Sequence, residues 1–131
     1  MFQRRKINKN IFKMKKFCRS VKNATDGIRE TLIFERNFRI MLIMTTAIIA
    51  TMFYFPTSRI EKAIISTAIF AVLTLEMVNI VIERLLDFIH PGHNEEVRII
   101  KDLIAAIVLI ASFGAVVIGL IIFWPYIMGA K

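Results

Sequence analysis

The stretch AIISTAIFAVLTLEMVNIVIERLLD, Ala63–Asp87, decides the fold. Ala63 to Leu75 carry no charge, and Glu76 is the sole ionisable residue before Glu83. A bilayer's hydrocarbon needs about 20 mostly apolar residues in a helix, and this run supplies them. Its polar residues are ordered. Glu76, Asn79, Glu83 and Asp87 stand at offsets 0, 3, 7 and 11, which at about 100° per residue places them within an arc of roughly 80°. At 1.5 Å per residue Glu76 lies about 10 Å deeper than Glu83. An ionisable group inside a span is costly and marks a functional site; the bland alternative is a helix–helix assembly contact.

Two further runs flank this one. Phe38–Phe55 is uncharged from Ile40 onward and is stopped by Pro56, while Leu103–Tyr126 has no charge at all. Trp124 and Tyr126 suit the interfacial aromatic belt at the end of that last run. The 131-residue chain is 56% hydrophobic, above the apolar share of ordinary soluble domains. An all-α, multi-pass membrane protein with spans at about 38–55, 63–87 and 103–126 is the expected class.

Ahead of the spans, Ile11, Met14, Phe17, Val21, Ala24, Ile28 and Leu32 recur at helical spacing with Lys and Arg on the other side. This pattern predicts an amphipathic surface helix over 11–34, divided near Thr25–Gly27 and preceded by a basic tail over 1–10. Residues 11–131 read as a single domain. Nine of the 18 Lys and Arg fall within Met1–Lys22, where there is no acid. By the positive-inside rule the N-terminus is cytoplasmic and the C-terminus outside, in a bacterial cytoplasmic membrane. The turn Pro56–Lys62 then faces outward, and a loop His90–Lys101 faces the cytoplasm.

On that cytoplasmic side the mouths of the three spans carry Glu35, Glu83 with Asp87, and Asp102. Crowded carboxylates repel one another, and a divalent cation relieves the repulsion. Magnesium takes oxygen ligands and bridges one or two carboxylates to nucleotide phosphates, which Lys101 could also contact. Other chemistries find less support. The basic N-terminus abuts apolar runs, so an anionic membrane surface fits it better than nucleic acid does. The five glycines form neither a P-loop nor a dinucleotide fingerprint. His90 and His93 lack the further ligands of a zinc site. Cys18 is alone, which rules out an intrachain disulfide, and no secretory signal is present. Gly114 and Gly119 are expected to admit close helix packing.

ERNFRI (Glu35–Ile40), the pattern E-x-x-N-x-x-x-E-x-x-x-D of Glu76–Asp87 and KDLIAAIVLI (Lys101–Ile110) resemble the small prokaryotic diacylglycerol kinase family. With SRIE (Ser58–Glu61), the sequence is most similar to the Gram-positive-type branch, whose usual substrate is undecaprenol. The resemblance implies a surface helix plus three transmembrane helices, assembled as a homotrimer with sites between subunits. It implies magnesium- and ATP-dependent phosphorylation of a membrane lipid alcohol, undecaprenol first and diacylglycerol second. Glu76 is then the catalytic base, Asp102 orients the site, and Glu35 and Glu83 hold magnesium. Lys101, Asp102, Arg19, Asn79, Asp87 and His93 would serve the nucleotide. Arg29, Phe38, Arg39, Glu76 and Ala105 would meet the lipid. The sequence departs from the family at Ile80 and Val81, where small residues are usual, and in Pro91–Glu95. The competing classes are a small proton-coupled exporter using Glu76 as a relay and a noncatalytic assembly subunit.

Overall fold

A computed structural model describes residues 2–92 and 94–129, with side chains described from residue 13 onward. It contains four helices: α1 (Phe2–Phe34), α2 (Arg36–Tyr54), α3 (Arg59–Ile89) and α4 (Glu95–Ile127). The last three are long and apolar enough to cross a membrane. The chain divides into two compact units, Met1–Asn37 and Phe38–Lys131.

The first unit is essentially α1, and it corrects the expected division near Thr25–Gly27. The helix is unbroken from Phe2, so helix also covers the stretch expected as a tail. Thr25 and Thr31 turn their hydroxyls back onto the helix, donating to the Val21 and Gly27 carbonyls at 2.9 and 3.0 Å. These bonds satisfy the two hydroxyls within the helix. Glu35 alone separates α1 from α2.

In the second unit α3 and α4 form the close pair. Their start and finish are set by local chemistry. Ser58 caps α3 and forms a reciprocal capping box with Glu61: the Ser58 Oγ accepts from the Glu61 N–H at 3.2 Å, and the Glu61 carboxylate accepts from the Ser58 N–H at 2.7 Å. Such a cap contributes about 1 kcal/mol. The same Glu61 carboxylate accepts a 2.7 Å bond from the Tyr126 hydroxyl, pinning the start of α3 to the end of α4. Here the core gathers. Met52, Ile65, Ile122 and Phe123 are buried together against Phe55, Ile69 and Ile118, and the Phe55 ring packs on Phe123 and Tyr126.

At the other end the expected loop shrinks. Only His90–Asn94 separates α3 from α4, because Asn94 caps α4 by accepting from the Glu96 N–H at 2.9 Å. Glu95 and Glu96 then occupy the first turn, where the helix dipole favours acids. Lys101 and Asp102 therefore stand on α4, beyond its first turn, rather than at the end of a loop. Among the described residues nothing outside their own helix backbone packs closely on Gly114 or Gly119: a Cβ at either position would meet nothing within 4 Å.

Candidate functional site

α3 carries the polar stripe as one uninterrupted helix, so its expected periodicity is realised. Glu76 and Asn79 are buried, Glu83 is half-buried and Asp87 is exposed. The stripe thus runs from apolar interior to polar end. Asn79 donates from its Nδ2 to the Glu83 Oε1 at 3.3 Å, one helical turn away. Its own carbonyl oxygen is buried and accepts no hydrogen bond from the described residues. A buried acceptor left in that state is costly, so it marks a place where a donor or cation is wanted.

α4 supplies the facing charges. Lys101 donates its ammonium to Asp87 Oδ1 at 2.5 Å, which ties the mouth of α4 to that of α3 across 14 residues of chain. The lysine side chain is 30% exposed and the aspartate 66%, so water reaches the pair and its worth is about 1 kcal/mol or less. Asp102 accepts from Arg98 Nη1 at 3.2 Å, and Arg98 also pairs with Glu95. The Arg98 guanidinium holds the Glu95 carboxyl below its ordinary range. Arg98 was not among the expected residues. Its signal was the spacing, with Glu95 three residues before it and Asp102 four after.

The remaining expected residues fall as follows. Glu35 is half-buried at the joint of α1 and α2 and belongs to the first unit, as do the exposed Arg19 and Arg29. In the second unit Phe38 is buried, whereas Arg39 and Ala105 are exposed. His93 lies outside the described residues. Of the two departures, Ile80 is buried beside Asn79 while Val81 faces outward at 63% exposure. Only Ile80 therefore adds bulk to the inner face of α3.

No group of three or more His, Cys, Asp or Glu side chains that could hold a metal occurs among the described residues. An all-protein cage is thus absent there. The Glu83 carboxylate and the Asn79 carbonyl are nonetheless oxygen donors of the kind that suits magnesium, which keeps several waters and takes the rest of its shell from substrate phosphates.

The sequence profile of the family described as prokaryotic diacylglycerol kinase matches residues 22–123, more than half of the chain. This chain belongs to that family. It is 33% identical over 112 residues to the undecaprenol kinase of Bacillus subtilis (strain 168), covering 86% of this chain and 91% of that one. It is also 29% identical over 101 residues to a diacylglycerol kinase of Synechocystis sp. (strain ATCC 27184 / PCC 6803 / Kazusa), covering 76% of this chain and 58% of the relative. Family membership supports a lipid-kinase type of phosphotransfer and carries ATP- and magnesium-dependent chemistry in general. The three long apolar helices agree with a multi-pass membrane kinase.

Proposed function

We propose that this protein transfers the γ-phosphoryl group of ATP to the hydroxyl of undecaprenol, as a homotrimer with its N-terminus in the cytoplasm of a bacterium. The observation that carries the reading is the graded stripe on α3, with Glu76 buried and Asp87 exposed beside Lys101. One helix face thereby joins an oily substrate to a charged one.

In this reading Glu76 accepts the proton of the lipid hydroxyl as that oxygen bonds to the γ-phosphorus. The bond from phosphorus to the bridging oxygen of ADP breaks, and the proton leaves Glu76 to water after product departs. Positioning and charge neutralisation carry most of such a transfer. Glu83 and Glu35 are the residues that would hold magnesium, which would supply neutralisation of the charge that develops on the phosphoryl oxygens. Asn79 holds the Glu83 carboxylate in place. Lys101 exchanges Asp87 for a phosphate oxygen, and Asp102 fixes the neighbouring turn through Arg98. Arg19 and His93 belong to the nucleotide side. Arg29, Phe38, Arg39 and Ala105 belong to the lipid side.

Diacylglycerol is the second substrate reading, favoured by the name of the Synechocystis relative. Purified protein given radiolabelled ATP, magnesium and each lipid in turn tests both. Undecaprenol is expected to be labelled faster than diacylglycerol, and labelling of neither by a folded sample would refute the kinase reading.

A further inference from the structure

The strongest charge patch outside the site is on α1. Met1–Lys22 holds nine of the chain's 18 Lys and Arg, and the first acid is Asp26. The part shared with the family begins at residue 22, so nearly all of this basic stretch precedes it. The stretch lies on the same unbroken helix as the shared part of α1, and a single residue, Glu35, joins that helix to α2.

The described part of the helix is sharply two-faced. Met14, Phe17, Val21 and Ile28 are exposed by 67%, 69%, 49% and 45% and share an arc of roughly 60° at 100° per residue. Lys13 and Lys22 flank that arc on its two sides, and Lys15, Lys16 and Arg19 complete the polar face, all exposed. A helix of this kind sinks its apolar arc into the boundary between headgroups and acyl chains. The cations then stand at headgroup level, within the Debye length of about 10 Å at 0.1 M salt. Their sign, and the absence of any acid before Asp26, fit a phosphodiester surface.

We propose that the basic N-terminal part of α1 is an electrostatic anchor for anionic phospholipids, so that seating of α1 on the bilayer depends on the anionic fraction of the leaflet. Lys13, Lys15, Lys16 and Lys22 take no part in the phosphoryl transfer proposed above, so the anchor stands whatever lipid the kinase uses.

Cys18, the chain's one cysteine, is exposed within this segment and accepts a spin label in the full-length protein. The label is read in nanodiscs of phosphatidylcholine alone, or with about one third phosphatidylglycerol, by its collisions with a neutral, water-soluble paramagnetic reagent. Several-fold fewer collisions are expected in the anionic discs, with the protection lost in about 1 M salt, where the Debye length falls to about 3 Å. Replacing Lys13, Lys15, Lys16 and Lys22 by Gln should abolish the difference between discs, and replacing the same four by Arg should retain it. Equal protection in both discs, or a Gln variant as well protected as the parent, would overturn the proposal. So would protection in neutral discs that appears only when an RNA oligonucleotide is added.

Discussion

The two ends of the α3–α4 pair are built on opposite principles. At the Ser58 end every named polar group is used locally: Ser58 and Glu61 cap each other, Tyr126 donates to Glu61, and Phe55 and Phe123 cover the joint. At the Asp87 end a water-accessible pair, Lys101 with Asp87, joins the helices. Further in, the Asn79 carbonyl accepts nothing from the described residues. The first arrangement fixes the helices, whereas on the proposed function the second leaves charge and hydrogen-bonding capacity for substrates. On that reading one helix pair separates stability from chemistry along its length.

Substitutions can break that separation. The largest effect belongs to Glu76→Gln, which keeps size and hydrogen bonding but removes the base; lipid-phosphate formation should fall by about a thousandfold. Its melting temperature in detergent should stay near that of the parent. Glu83→Ala comes next and should raise the magnesium needed for half-maximal rate by about tenfold or more, measured by titrating magnesium at fixed ATP. At the other end Tyr126→Phe leaves activity intact and lowers stability by about 1 kcal/mol, read from chemical or thermal unfolding. Ser58→Ala removes the cap at a similar cost of about 1 kcal/mol.

Arg98→Ala has the smallest effect. With Glu95 held below its ordinary pKa by Arg98, any stabilisation from the pair is present above the unfolded-state pKa and lost as pH falls through the lowered one. The variant should therefore differ from the parent near neutrality and converge with it in acid. Both groups are exposed, so the difference is small.

Much of this was legible in the sequence because bilayer solvent imposes simple rules. Length and hydropathy sufficed for the three long apolar helices, and the spacing of Glu76, Asn79, Glu83 and Asp87 sufficed for their common stripe. Helix ends were read less well. Asn94-Glu95-Glu96 looked like polar loop, yet an N-cap followed by two acids is a helix start, which is why α4 begins at Glu95. Ser58 and Glu61 likewise hold the capping-box spacing. The bond from Tyr126 to Glu61 spans 65 positions, and no local pattern encodes it. Thr25–Gly27 misled because Asp26 and Gly27 are weak helix formers whose cost, about 1 kcal/mol or less each, does not end a 33-residue helix.

The most direct test reads phosphoryl transfer and unfolding on the same preparations of the parent, Glu76→Gln and Tyr126→Phe, with undecaprenol and magnesium-ATP. The expected result is a crossed pattern: Glu76→Gln folded and inactive, Tyr126→Phe active and less stable. A Glu76→Gln protein that still phosphorylates lipid within a factor of about ten of the parent would contradict the role given to Glu76.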